Sequence, residues 1–287
     1  MLLQLNDIKK YFSVRKGLFD SAPTVVKAVD RVNFSIMHGE NMGLVGESGC
    51  GKTTLARMMM RLMSVDSGSI LFEGSDIIHL ANKQLSHYRK NVQMVFQDPY
   101  SSLDPRWTIR SILKEAMTLE PHRYKTEKDK EERMIELLNV VYLKPDMLNR
   151  YPHEFSGGER QRIAIARTLM LNPKLLILDE AVSSLDVIIQ QQIIDLLKDL
   201  QKRFALTYLF ISHNLKVVRK LSRRIAVMYQ GKIVEIATTE QLFQNPLHPY
   251  TKELLMAAIN YKSTPRTFAL QEGTRLVEQG NGHFVLK

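Results

Sequence analysis

Gly46-Glu47-Ser48-Gly49-Cys50-Gly51-Lys52-Thr53-Thr54 is the stretch on which the reading of this chain turns. It fits the pattern G-x-x-x-x-G-K-[ST] of a loop that cradles phosphate. Glycines at 46, 49 and 51 let the backbone turn tightly with no Cβ in the way. Successive N–H groups then face one concavity, where they can hold phosphate oxygens. A helix predicted over roughly Gly51–Met63 aims its positive dipole end at the same point. Lys52 supplies a point charge for the β- and γ-phosphates, and the Thr53 hydroxyl can ligate Mg²⁺. The run Glu40–Val45 ahead of the loop is strand-like, so the strand–loop–helix context that the pattern demands is present.

A nucleotide loop needs a carboxylate to manage the metal. Leu175-Leu176-Ile177-Leu178-Asp179-Glu180 is an apolar strand ending in two acids. Adjacent side chains diverge at a strand end. Asp179 can therefore organise Mg²⁺ and its waters, while Glu180 points to a water in line with the γ-phosphate. Hydrolysis of a phosphoanhydride needs positioning and charge neutralisation more than covalent chemistry. The bland alternative is a strand end with two solvated acids, and the phosphate loop weighs against it.

The remaining composition sets bounds. At 287 residues and 44% hydrophobic content the chain can bury one large domain or two. No stretch approaches the run of about 18 apolar residues that spans a membrane. The N-terminus Met1–Asp7 has no basic segment and no long apolar core, which argues against a secretory signal. One cysteine, Cys50, excludes intrachain disulfides and any Cys-x-x-Cys site. These features fit a soluble protein made in the cytosol. The net charge of +10 is spread along the chain and alone decides no partner. The mixed run Lys125–Arg133 alternates sign and reads as a solvated helix face.

Period-two patterns predict strands at Leu2–Ile8, Val25–Val29, Val32–Ile36 and Ser69–Glu73, which would form a small antiparallel layer. Helices are predicted at Asn82–Lys90, Thr108–Leu119, Lys125–Val141 and Gly158–Leu171, with a strand at Val92–Phe96. Buried strands follow at Lys174–Leu178 and Leu206–Ile211, with helices at Val187–Arg203 and Asn214–Leu221. A hairpin at Arg224–Tyr229 and Lys232–Ile236 precedes helices at Thr238–Phe243 and Thr251–Ile259. Beyond Lys262 the pattern fades, which predicts a poorly ordered end. The fold class is α/β. It combines a P-loop RecA-like core with an antiparallel β subdomain, a helical insertion over about residues 98–169, and a short C-terminal extension.

The ordered set of motifs resembles the ATP-binding cassette (ABC) ATPases over about residues 1–260. Phe155-Ser156-Gly157-Gly158-Glu159 is similar to that family's signature motif, and it lies just upstream of the Asp-Glu strand. Gln97 resembles the Q-loop glutamine, Ser183-Ser184-Leu185-Asp186 the D-loop, His213 the switch histidine and Tyr11 the aromatic that stacks on adenine. The resemblance implies ATP and Mg²⁺ as cofactors. Nucleotide contacts would come from Tyr11, Gly46, Glu47, Ser48, Gly49, Cys50, Gly51, Lys52, Thr53 and Thr54. Across a head-to-tail pair of subunits, Ser156, Gly157, Gly158, Glu159 and Asp186 would face the other subunit's nucleotide. Glu180, His213 and Gln97 would serve catalysis, and Thr53, Gln97 and Asp179 the metal. Ala28, in the strand after Tyr11, would line the adenine pocket. Read alone, Ser156-Gly157-Gly158 before a helix is an anion site or a plain capped start, Gln97 is an ordinary loop amide, His213 a structural or surface histidine and Tyr11 an amphipathic surface aromatic.

Phe96–Arg106 and Asn245–Thr251 narrow the resemblance to the oligopeptide, dipeptide and nickel importers, and most to the second, F-type ATPase subunit. Residues 245–287 would then form the transporter-type extension. The implied partners are a sister ATPase in a heterodimer, two transmembrane permeases and an extracytoplasmic substrate-binding protein, at the cytoplasmic face of the membrane. No nucleic acid is expected. The rival readings are a nickel or metal-chelate importer with the same motor, and a soluble ABC ATPase acting on DNA or the ribosome. Three residues depart from the family pattern. Glu159 stands where glutamine is usual, Ala181 where proline is, and Asn214 where aspartate is. A carboxylate at 159 would weaken its half-site unless it points away from the γ-phosphate. Cys50 sits beside a helix N-terminus, which favours thiolate, although a tolerated small residue is the simpler reading. MgATP is expected to slow the reaction of Cys50 with a thiol reagent. Equal labelling rates with and without nucleotide would contradict this placement.

Overall fold

The structure, a computed structural model, describes residues 1–14, 24–98, 102–120, 122–260, 268–270 and 273–287. Pro99, Tyr100 and Ser101 of the 96–106 motif lie outside the described residues. In chain order the elements begin with β1 (Leu3–Val14), β2 (Thr24–Ile36), β3 (Asn41–Val45), α1 (Lys52–Met59), β4 (Ser67–Phe72) and β5 (Ser75–Asp76). Next come α2 (Asn82–Asn91), β6 (Val92–Val95), α3 (Ile109–Met117), α4 (Glu127–Val140), α5 (Gly157–Leu169), β7 (Leu175–Asp179) and α6 (Val187–Phe204). The chain continues with β8 (Thr207–Ser212), α7 (Leu215–Leu221), β9 (Arg224–Tyr229), β10 (Lys232–Thr238), α8 (Thr239–Gln244) and α9 (Pro249–Asn260). It ends in β11 (Leu276–Glu278) and β12 (Phe284–Leu286). Two compact units result: Met1–Ala81 with Leu209–Lys287, and Asn82–Tyr208.

In the first unit, β2-β1-β4-β5 form an antiparallel sheet with Leu3, Leu5 and Ile8 buried on one face. The two runs predicted at 25–29 and 32–36 form one strand. What interrupts the alternation is a bulge and not a turn: Ile8 faces Val32 while Lys10 faces Val29, and Arg31 takes φ +55°. One extra residue on β2 absorbs the mismatch. The rest of this unit has strand order β11-β12-β10-β9-β3-β8, with β3 parallel to β9. Every residue of β3 is buried, as its apolar run predicts. β9 and β10 form the expected hairpin, and Gln230 and Gly231 both have positive φ, +45° and +80°. That is the signature of a tight primed turn.

The second unit packs α3 and α4 on α5, beside a parallel pair, β6 and β7. Side chains make the helix starts. Thr108 accepts from Ser111 N at the head of α3, and Thr126 forms a capping box with Asp129 at the head of α4. Ile112, Leu113, Leu137, Leu138, Ile163 and Ala166 meet in the interior, none more than 2% exposed.

The C-terminal end differs from the sequence expectation. Beyond the fading pattern at Lys262, β11 and β12 pair with each other, and β12 pairs with β10 through Glu235↔Val285 and Ile236↔Phe284. Three-residue strands carry too few side chains to announce themselves by periodicity. They are held by a non-local bond instead. His283 Nε2 lies 2.7 Å from Oε1 of Glu235, a fully buried carboxylate that also accepts from the Leu247 and His248 amides. Glu235→Ala would leave the buried His248 N–H unpaired, at a cost of about 1–3 kcal/mol, and would release the half-buried Leu247 N–H as well. The variant is expected to show a clearly lowered denaturation midpoint; an unchanged midpoint would contradict the role given to this carboxylate.

Candidate nucleotide-binding site

In the first unit the fully buried β3 delivers the chain into the loop, and α1 leaves it at Lys52. The curvature has a steric cause. Gly46 has φ +155°, and a Cβ there would lie 2.2 Å from the Met228 carbonyl oxygen. Gly51 has φ +114°, and a Cβ there would lie 2.1 Å from the Ala28 carbonyl oxygen. Only glycine fits either position. The loop therefore nests against β9 on one side and β2 on another. Gly51 caps α1 and, having no side chain, makes no side-chain cap bond there. Lys52 is buried and donates from Nζ to the carbonyls of Gly46 and Glu47, each at 2.8 Å. Ser48, Gly49 and Thr53 are exposed, Glu47, Gly51 and Thr54 are half-buried.

Cys50 follows the simpler reading, a tolerated small residue, and not the thiolate that a helix N-terminus favours. It is buried, and that burial pushes its thiol up, against the opposing pull of Lys52, whose Nζ lies 3.7 Å from Sγ. Desolvation outweighs the helix N-terminus here.

Tyr11 stands opposite Lys27 in the β1–β2 ladder, one residue from the Ala28 carbonyl that touches the loop. Register thus sets Tyr11 across from Lys27, the residue that precedes the Ala28 carbonyl at the loop. Tyr11 Oη donates to Asp30 Oδ1 at 2.7 Å, and its amide donates to Asp66 Oδ2 at 2.7 Å. Burial, and then the Asp30 carboxylate, push the phenol up to about 12. Lys27 Nζ sits 5.9 Å from the ring centroid, within cation–π reach. Sequence reasoning missed Asp30 because strand register was not legible.

His213 also belongs to this unit and is exposed in the turn between β8 and α7. Asn214, the departure noted beside it, caps α7 by accepting from Lys216 N at 3.1 Å. Asparagine does this as well as aspartate.

In the second unit Asp179 ends β7 and is buried. Glu180 follows with φ +49°, a left-handed conformation that turns its side chain off the strand. Gln97 Nε2 donates to Glu180 Oε2 at 3.3 Å, so two residues picked on separate grounds, 83 positions apart, meet. Ala181 is buried in the turn beyond.

The signature stretch heads α5. Ser156 Oγ accepts from Glu159 N at 3.3 Å, and Glu159 Oε2 accepts from Ser156 N and Oγ, both at 2.8 Å. The carboxylate at the departed position is therefore turned back into a capping box. Gly158 packs closely on α6: a Cβ there would lie 2.4 Å from Ile189 Cγ2, so Ile189 would have to shift. Asp186 caps α6, accepting from Ile188 N at 3.1 Å and Ile189 N at 3.0 Å. The starts of α5 and α6 are thereby packed together, a closeness that the spacing of the two motifs did not reveal.

No cluster of three or more histidine, cysteine or acidic side chains that could hold a metal is present among the described residues. Mg²⁺ does not require one: it takes one or two protein oxygens and completes its shell with phosphate and water. A buried carboxylate at Asp179 and a hydroxyl at Thr53 are donors of the right, hard kind.

Residues 29–183 match the family described as ABC transporter, and residues 234–281 match the oligopeptide/dipeptide transporter C-terminal region. The chain is 55% identical over 255 residues to the oligopeptide transport ATP-binding protein AppF of Bacillus subtilis, covering 88% of this chain and 77% of that one. It is 44% identical over 300 residues to OppF of the same organism, covering 99% and 95%. Among solved structures, the dimeric post-hydrolysis state of the ATP-binding cassette MJ0796, bound to ADP and Pi, superposes with a TM-score of 0.71 at 25% identity. That match covers 83% of this chain and 99% of the other. A loop shaped for phosphate, matched across more than half the chain and joined to a transporter-specific C-terminal region, has one reading: this chain belongs to the ABC transporter family as one of its ATP-binding, ATP-hydrolysing subunits.

Proposed function

We propose that this chain is the ATPase subunit of an importer for oligopeptides or dipeptides. The observation that carries the reading is the presence, in one chain, of the nucleotide loop and of the oligopeptide/dipeptide C-terminal region at 234–281. The proposed organisation is an ATPase domain over 1–260, with a helical part at about 98–169 and an extension at 245–287. The subunit works at the cytoplasmic face of the membrane, as one half of a head-to-tail heterodimer beneath two permeases that receive peptide from an extracytoplasmic binding protein. No helix among the described residues is long and apolar enough to cross a membrane.

Two surface features support these partners. Val187 and Ile188, directly after Asp186, are 80% and 72% exposed. Apolar side chains so placed favour cover by a second subunit. In the second unit, Trp107 is exposed beside Arg106, Ser111 and Tyr151 along a groove at α3, which suits a short amphipathic helix from a permease.

In the proposed mechanism, the amides of residues 49–54 and the Lys52 ammonium hold the phosphates, and Tyr11 stacks on adenine. Thr53, Asp179 and Gln97 are the residues that would hold Mg²⁺, which would supply charge neutralisation to the phosphates when bound. Glu180 orients a water and takes its proton as the water oxygen bonds to the γ-phosphorus. The bond from that phosphorus to the bridging oxygen breaks, and ADP keeps the electron pair. Gln97 Nε2 holds Glu180 in place by donating to its Oε2, and His213 donates to the γ-phosphate. The Ser156–Glu159 helix start faces the nucleotide of the other subunit. The Glu159 carboxylate, tied to Ser156, adds little repulsion there.

Glu180→Gln in the assembled transporter is expected to lower ATP turnover by about 10²–10⁴-fold, the range of a positioned general base. ATP binding should remain. Turnover within a few-fold of wild type would contradict the role of Glu180.

A further inference from the structure

We infer that Tyr250 is a positioning residue for ATP binding, through which the C-terminal region holds the phosphate loop by its backbone. This rests on reading Gly46–Thr54 as the ATP site. The Glu47 N–H donates to Tyr250 Oη at 3.1 Å, and the Glu47 carbonyl accepts from Lys52 Nζ at 2.8 Å. Both backbone groups of the first variable loop residue are therefore used, one by the loop's own lysine and one by α9.

Tyr250 is itself held on every side. Its side chain is fully buried. Its ring lies 4.2 Å from that of Tyr229, centroid to centroid, with the planes tilted by 30°. Tyr229 belongs to β9, the strand whose Met228 carbonyl enforces glycine at Gly46. The backbone of Tyr250 is fixed by a relay. Glu235 on β10 accepts from Leu247 N at 2.8 Å and His248 N at 2.9 Å, and His248 Nδ1 accepts from Tyr250 N at 3.1 Å. A tyrosine has only two side-chain torsions, so fixing its backbone and ring fixes its oxygen. The relay starts on β10 and ends on the loop.

The consequence is energetic. A loop already ordered at Glu47 binds nucleotide without meeting that ordering cost during association. Residues 234–281, the region that marks the peptide-importer branch, thus help to set the ATP affinity of the site.

The test uses the full chain and a fluorescent ATP analogue with Mg²⁺. Tyr250→Phe keeps the ring and removes the acceptor. Its dissociation constant is expected to rise about tenfold, as for one lost hydrogen bond. In the assembled transporter, KM for ATP should rise while kcat at saturating ATP stays within about twofold, the pattern of lost ground-state binding. A merely structural defect would not separate the two. Lys52→Ala serves as the reference. If it abolishes binding while Tyr250→Phe binds like wild type, this inference falls and the ATP site stands. If Lys52→Ala also binds like wild type, the site assignment falls as well. Should Tyr250→Phe unfold, amide hydrogen exchange on the wild-type chain decides. The Glu47 amide must exchange slowly, and rapid exchange there overturns the inference.

Discussion

The close approach of backbone to backbone at the phosphate loop is the constraint on which the first unit depends. Gly46 runs against the Met228 carbonyl and Gly51 against the Ala28 carbonyl, and neither place can hold a Cβ. Three strands must be in register for this to occur: β3 leading in, β9 parallel to it, and β2 at Ala28. Once they are, the N–H groups at the head of α1 share one concavity, and Lys52 has carbonyls to lie against. Chemistry at this site therefore begins as packing. A side chain at either glycine would not remove a reactive group; it would straighten the loop.

The second unit contributes by a different device, the capped turn. Ser156 with Glu159, Asp186 with the amides of Ile188 and Ile189, and Glu180 in a left-handed conformation all fix where short polar side chains point. Capping explains two of the three departures from the family pattern. Glu159 substitutes for glutamine in a box that accepts either, and Asn214 substitutes for aspartate as a cap. Alanine at 181 is buried in its turn, and nothing in the structure explains why it stands there in place of proline.

Local chemistry was legible in the sequence. The glycine spacing of the loop, the apolar strand ending in Asp179-Glu180, and the cap at Ser156 each need only a few adjacent residues to make their case. What was not legible is what depends on register and on contacts far apart in the chain. Gln97 meets Glu180 across 83 positions, Tyr11 finds Asp30 through a bulged ladder, and His283 finds Glu235 across 48 positions. The final hairpin escaped notice because its strands are short and its anchor is a buried carboxylate, not an apolar pattern. At Cys50 the helix N-terminus is visible in sequence, whereas the burial that outweighs it is not.

The central claim is that ATP used at this loop drives peptide inward. It is tested most directly by purifying the complex with its membrane partners, reconstituting it in liposomes, and measuring uptake of a labelled oligopeptide. The account predicts accumulation that requires MgATP on the side of this subunit and disappears when Lys52 is replaced by alanine. Uptake that persists without hydrolysable ATP, or that is unchanged by the Lys52 substitution, would contradict it.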